Sequence, residues 1–361
     1  MKPLMVFLFT FLLIPANGHI QSGLEVHLRN VRQLTFGGVH SSPTISDDGR
    51  FLVFAARDSP FGAAHYGHEC KQLYALELER ANATPRLVSN RFGTFESAAF
   101  LPAGHSLAVA SNLRRFEPLE RRTPAETCGG WAADGDEERA AGNFDLFELP
   151  LERAHRPVPL TRNPRPLSAL QVAASARRQL AFVGAEAAGR RLWLLNTTGT
   201  LERTPVAERF EAVGSPAFSP DGEKLAFYGE QTGTQGNSTK KNGGIFVLSL
   251  GNTTDVRRAT PAGVEVADVC FHSNGQRLFV SDRRNVFLVD VGWQSMEQIT
   301  FMGNNSAPLM SPDGRLLVWT STRNSEAGEN NLFVAAWVEV AQTRHQWFKD
   351  LIKLFSRPRD S

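Results

Sequence analysis

The densest patch of reactive side chains in this chain is His65-x-x-His68-Glu69-Cys70. Imidazole, carboxylate and thiolate are all ligands for transition metals, and the spacing is tight. The pattern stops short of a metal site. No paired Cys-x-x-Cys stands nearby, and no helical periodicity places both histidines on one face. A solvated loop with Cys70 in a disulfide accounts for the same residues. No metal and no cofactor is therefore assigned, and His65 and His68 stand as binding candidates.

Cys70, Cys128 and Cys270 are the three cysteines, so at least one is unpaired within the chain. Cys270 sits inside an apolar stretch, DVCFHSNG, and reads as a buried free thiol. Cys70 and Cys128 both fall in loops and are the expected disulfide. Trp131 follows Cys128-Gly129-Gly130. It is a candidate aromatic anchor for a protein or a sugar; the competing role is packing its loop onto the scaffold. Asn-x-Ser/Thr triplets begin at Asn82, Asn196, Asn237, Asn252 and Asn304. In a eukaryotic secretory pathway these are glycan acceptors on surface loops, and in a bacterial periplasm they carry no meaning.

These residues lie between copies of one phrase. It reads SPTISDDG at Ser42–Gly49, SPAFSPDG at Ser215–Gly222 and APLMSPDG at Ala307–Gly314. Weaker copies are SAAFLPAG at Ser97–Gly104, DVCFHSNG at Asp268–Gly275 and LQVAASAR at Leu170–Arg177, the last without the Asp-Gly turn. Each runs into an alternating apolar stretch, as in RFLVFAAR and RLLVWTST. Strand, tight turn and strand, repeated around a chain, is the pattern of a β-propeller. In the turn, Asp bonds its own backbone and Gly takes the positive φ, so these aspartates are structural.

A third strand follows in every unit, and a fourth in five of them: PRLVS from Pro85, VPLTR from Val158, ERTPV from Glu202, RRATP from Arg257 and QITF from Gln298. The sixth unit ends at NLFVAAW without one. The missing strand is expected at the other end of the chain, in RQLTF at Arg32–Phe36. The predicted fold is all-β: six four-stranded blades, ring-closed by an N-terminal outer strand.

The units, of form LT–x–SPDG–x–LxF–x–IYxxxL, resemble the TolB-like propeller repeat over roughly Arg32 to Trp337. The segments HECKQLY and ENNLFVAAWVEV are similar to exported stand-alone members of that group. The resemblance implies a six-bladed scaffold for protein or ligand binding. There is no room here for the α/β domain that precedes the propeller in TolB, so TolB's envelope partners are not carried over. Related propellers cover peptidase active sites, but no G-x-S-x-G elbow occurs in this chain.

Lys2, an apolar run from Leu4 to Ile14 and then Pro15-Ala16-Asn17-Gly18 read as a signal peptide, residues 1–18. The propeller is expected over 19–338, and the protein is expected to be secreted, or periplasmic if bacterial. Residues 339–361 hold Trp347, Phe348, Leu351, Ile352 and Phe355 at helical spacing before a basic end. They predict a short amphipathic helix that docks on the propeller or makes peripheral contact with a membrane or partner. The net charge of +2 gives no concentrated basic face, so nucleic acid is excluded as a partner.

The insertions fall in the second-to-third-strand connections of units one, two and four. The leading expectation is an exported, non-enzymatic scaffold that binds a protein or glycan partner through that loop-rich face. Two alternatives stand beside it. One is a propeller lyase or hydrolase acting on carbohydrate. The other is a scaffold tethered to a membrane or complex by its C-terminal helix.

Overall fold

Continuous apolar runs with both faces buried decide the architecture. In β3, Phe51–Arg57, Leu52 and Phe54 pack in one apolar cluster while Val53 and Ala55 pack in another. Successive side chains of a strand point to opposite faces, so one strand serves two neighbours. Such a sheet must stand edgewise between two like itself, and six of them close a ring.

The computed structural model describes residues 22–57, 70–80, 83–90, 92–113, 144–153, 157–161, 168–186, 189–196, 203–232, 241–325 and 329–340. Blade 1 comprises β2 (Val39–Ile45), β3, β4 (Gln72–Glu77) and β5 (Arg86–Leu87). Blade 2 comprises β6 (Phe95–Phe100), β7 (Ser106–Ser111), β8 (Asp145–Pro150) and β9 (Val158–Pro159). Blade 3 comprises β10 (Ser168–Ala174), β11 (Gln179–Glu186), β12 (Gly189–Asn196) and β13 (Arg203–Val206). Blade 4 comprises β14 (Ala212–Phe218), β15 (Lys224–Thr232), β16 (Lys241–Ser249) and β17 (Asn252–Arg258). Blade 5 comprises β18 (Asp268–Phe271), β19 (Arg277–Ser281), β20 (Val286–Asp290) and β21 (Ser295–Gln298). Blade 6 comprises β22 (Asn305–Met310), β23 (Leu316–Ser321), β24 (Asn331–Trp337) and, from the chain start, β1 (Leu28–Gln33).

Every blade-to-blade interface holds one apolar cluster. Between blades 5 and 6, Phe279 and Leu288 meet Leu317, Trp319 and Phe333. Between blades 6 and 1, Val318, Leu332 and Val334 meet Leu52, Phe54 and Leu76. The core is thus a ring of six interfaces.

The expected ring closure is present, with its strand shifted. The expectation placed it at Arg32–Phe36, whereas β1 spans Leu28–Gln33 and pairs antiparallel with β24, Leu28 against Trp337 and Gln33 against Phe333. A bulge between Arg29 and Arg32, with Asn30 at φ 54°, realigns the register. The outer strand of blade 4 is also earlier than RRATP: β17 begins at Asn252.

The phrase makes the expected turn. Gly49, Gly222 and Gly314 take φ 73°, 67° and 74°. The Asp that precedes each accepts a hydrogen bond from the Ser two residues earlier: Ser46 to Asp48 at 2.5 Å, Ser219 to Asp221 at 2.5 Å, Ser311 to Asp313 at 2.6 Å. The serine hydroxyl and a backbone amide hold the Asp48 and Asp221 carboxyls below their usual range. In unit three, which lacks Asp-Gly, the turn survives in shortened form. Arg178 takes the left-handed position at φ 60°, and Ser175 Oγ accepts from the amides of Arg177 and Gln179.

Candidate functional site

The antiparallel meander puts the phrase turns and the third-to-fourth turns at one end of the ring. The second-to-third connections and the outer-to-inner crossings lie at the other end, where the long insertions are. In blade 4 part of the insertion is strand: β15 and β16 stay paired out to Thr232 and Lys241.

His65, His68, Cys128, Trp131, Asn82 and Asn237 lie outside the described residues, as do residues 1–18 and the amphipathic segment after Val340. What is described at the loop end is the base of the insertions. Cys70 is buried and disulfide-bonded, and Cys270 is a buried free thiol, as expected. Burial pushes the Cys270 thiol up to about 12. Beside Cys70, Lys71 crosses to the next blade. Its amide donates to Thr94 Oγ1 (3.1 Å), its carbonyl accepts from Phe95 N (3.0 Å), and its ammonium pairs with Glu96 at 2.5 Å. The base of the blade 2 insertion folds onto the same place. Asn112 Oδ1 accepts from Thr94 N (2.8 Å), and Ser111 Oγ donates to the Thr94 carbonyl (2.8 Å). Of the proposed glycan acceptors, Asn196, Asn252 and Asn304 are exposed.

The inner strands carry a circuit of polar ties that links each blade to the next. Ser42 Oγ donates to the Glu96 carbonyl (3.0 Å), and Ser97 Oγ to the Leu170 carbonyl (2.8 Å). Ser215 N donates to Gln171 Oε1 (2.7 Å) and Ser215 Oγ to Asp268 Oδ1 (3.4 Å). Asp268 Oδ2 accepts from Ala307 N (3.1 Å) and from Ser281 Oγ (2.6 Å). At the last interface His40 N and Nδ1 both donate to the Asn330 carbonyl, at 3.1 and 2.8 Å. His40 is fully buried, its Nε2 has no hydrogen-bond partner among the described residues, and burial holds its pKa below the usual value.

Three of these ties depend on an unusual backbone. Ser42, Ser215 and Ala307, each before a proline, take φ 50°, 47° and 47° at matching bulges in β2, β14 and β22. The bulge turns the Ser215 and Ala307 amides from their own ladder toward Gln171 and Asp268 of neighbouring blades. The first residues of the repeated phrase therefore pin blades together. Sequence reasoning had assigned the phrase to its turn alone; the signal was the residue before proline, the same in two copies.

A second polar cluster fills the seam between blades 5 and 6. Glu25 and Arg323 are both buried, with Arg323 Nη2 2.9 Å from Glu25 Oε1 and Nη1 3.2 Å from Oε2. Phe301 N and Ser22 N also donate to that carboxylate, at 2.9 and 3.0 Å. The guanidinium lies over Trp319 and Phe333, 5.0 and 5.6 Å from the ring centroids. His27 continues the seam, stacked on Trp337 and paired with Glu297.

Among the described residues no group of three His, Cys, Asp or Glu side chains is arranged to hold a metal ion. The inner-strand carboxylates are engaged: Glu96 by Lys71, and Asp268 by two hydroxyls and an amide.

Six meander sheets in a ring, tied blade to blade and closed by the first strand, define a six-bladed β-propeller. The family model of the TolB beta propeller domain matches residues 155–345, more than half of the sequence, and the chain belongs to that family. A comparison with curated proteins found no match. Among solved structures, a gluconolactonase from Xanthomonas campestris is similar at a TM-score of 0.57 and 14% identity, over 88% of this chain and 93% of that one. A putative TolB from Agrobacterium tumefaciens is similar at 0.54 and 16%, over 84% and 91%. An oligogalacturonate lyase from Vibrio parahaemolyticus is similar at 0.52 and 12%, over 86% and 92%. At these identities the likeness is one of fold, and the fold hosts both enzymes and scaffolds.

Proposed function

We propose that this protein is an exported scaffold that binds a protein or glycan partner through its loop-rich face, without turnover. The observation that carries the reading is where the chain spends its length. One end of the ring has the phrase turns and third-to-fourth connections of at most about eight residues. The other carries the connections from Arg57 to Gln72 and from Ser111 to Asp145, their bases tied to blade 2 through Lys71, Thr94 and Asn112. Long loops on a rigid frame are the usual form of a recognition surface. In this reading Cys70 pairs with Cys128 and joins the two longest insertions. Trp131, His65 and His68 belong to the binding face. Asn82, Asn196, Asn237, Asn252 and Asn304 are glycan acceptors if the cell is eukaryotic. Export rests on the signal-peptide pattern of residues 1–18.

The test is crosslinking and affinity purification of the secreted protein, followed by mass spectrometry. It is run beside a variant with residues 58–69 and 114–143 replaced by short Gly-Ser links. A partner captured by the full protein and lost with the links supports the reading. Turnover of an oligosaccharide panel without any partner would replace it with the carbohydrate-acting enzyme. Deleting the residues after Val340 tests the tethered alternative, which predicts a changed location.

A further inference from the structure

The turn between β20 and β21, at the end of the ring away from the long loops, presents a side chain that the fold does not cover. Trp293 is 86% exposed, the highest value among the large apolar residues described. Its backbone is fixed. Asp290 Oδ1 accepts from Gly292 N (2.9 Å) and Trp293 N (3.0 Å), and Gln294 N donates to the Asp290 carbonyl (2.8 Å). Gln294 Nε2 reaches back to blade 4 and donates to the Arg258 carbonyl (2.8 Å). An indole held on a pinned turn gives up little conformational freedom when a ligand covers it.

This turn borders a cleft of about 330 Å³ between blades 4 and 5. Around it stand Lys224, Phe271, Gln276, Asp290 and Trp293. The lining brings together an ammonium from Lys224, an amide from Gln276 and a carboxylate from Asp290; the ammonium also interacts with Asp221, and Asp290 Oδ1 is taken by the Gly292 and Trp293 amides. One cation and one anion cancel, so the cleft does not select for charge. Its volume lies at the lower end of the range for small-molecule sites. Lys224 opens β15, Gln276 directly follows a phrase turn and Trp293 lies in a hairpin turn, so the cleft presents side chains at strand ends and not the length of a strand edge.

An apolar aromatic face flanked by a carboxylate, an amide and an ammonium matches one chemistry closely. A pyranose ring stacks its C–H face on the indole and sets hydroxyls, each both donor and acceptor, against the polar heads. We propose that the cleft under Trp293 is a binding site for a neutral saccharide of about one or two rings. It lies on the opposite face from the loop-rich surface and does not depend on that surface's partner.

The test uses the full secreted protein on an array of neutral hexose and N-acetylhexosamine oligomers. Any oligomer retained is then titrated calorimetrically against wild type, Trp293→Ala, Gln276→Ala and the protein with Gly-Ser links in its two long loops. The site predicts binding that weakens at least about tenfold in Trp293→Ala. It predicts a smaller loss in Gln276→Ala and no change with the links. Thermal unfolding of Trp293→Ala should match wild type, because the side chain is exposed. The proposal is overturned if no neutral oligomer binds, if binding survives Trp293→Ala, or if it disappears with the loops. It is also overturned if a peptide or protein, and no saccharide, binds wild type and is lost in Trp293→Ala.

Discussion

Replacing Glu25 by Gln should destabilise the propeller strongly, and replacing Arg323 by Met in the same chain should restore most of the loss. The Glu25 and Arg323 side chains are 0% and 1% exposed. The carboxylate accepts from both guanidinium nitrogens and from the amides of Phe301 and Ser22. Glu25→Gln keeps the shape and an oxygen for an amide but removes the negative charge opposite the guanidinium, leaving that buried cation on neutral partners such as Asn305 Oδ1 and Ser321 Oγ. Breaking a buried pair in this way costs about 3–5 kcal/mol. At a urea dependence of roughly 3 kcal/mol per molar, the unfolding midpoint should fall by about 1 M or more. Arg323→Met alone strands the carboxylate instead. In the double variant neither charge is buried, and stability should return to within about 1–2 kcal/mol of wild type. The assay is urea unfolding followed by tryptophan fluorescence, since Trp319 lies under the guanidinium. A loss below about 1 kcal/mol for Glu25→Gln, or losses that simply add in the double variant, would refute the assignment of this pair as the seal of the blade 5–6 seam.

Gly93→Ala should cost about 1–3 kcal/mol in the same assay, because Gly93 sits at φ 63° and an added Cβ would lie 2.4 Å from Asn112 Oδ1. Asp268→Ala should cost about 1–3 kcal/mol and speed amide exchange at Ala307, whose N–H loses its acceptor. Ellman's reagent should find no reactive thiol in the folded protein and one after denaturation without reductant, since Cys270 is buried with its thiol pushed up to about 12; two or more thiols on denaturation would contradict the disulfide at Cys70. Burial lowers the pKa of both His40 and His272, so the unfolded chain binds more protons than the folded one near and below pH 6.5. Stability from these groups should be complete above that value and decline as pH falls through the folded pKa values. Unfolding midpoints measured between pH 7.5 and 5 check the sign, and an increase toward acid would refute it.

The ring and its six blades were legible in the sequence because each blade repeats the same local problem. A strand buried on both faces reads as an unbroken apolar run, and Asp-Gly after it reads as a turn. The register of closure was less legible. RQLTF resembles the other outer strands, but Asn30 in a left-handed conformation moves the pairing toward Leu28, and a bulge leaves little mark on composition. Glu25 and Arg323 were invisible for a different reason. They meet once, far apart in sequence, and nothing in the repeat predicts them. At the candidate site the sequence showed where the insertions fall, and blade 4's proved to be partly a longer hairpin. Trp293 was passed over because a single tryptophan in a turn between strands looks the same whether it packs inward or stands out.

Closure by the first strand has a consequence in time. His27 and its partner Val338 lie 311 positions apart, and β1 has no place in a sheet until β24 exists. At synthesis rates of roughly 5–20 residues per second, that is a wait of about 15–60 s. Throughout it, Leu28–Gln33 is an unpaired strand, and once β24 forms blade 6 is an open sheet edge until β1 pairs with it. Either one is a template for pairing with another copy of the chain. Folding of this protein should therefore be governed by how long its two ends can be kept from the wrong neighbours. Its yield should fall with concentration during refolding even though the finished ring has no open seam.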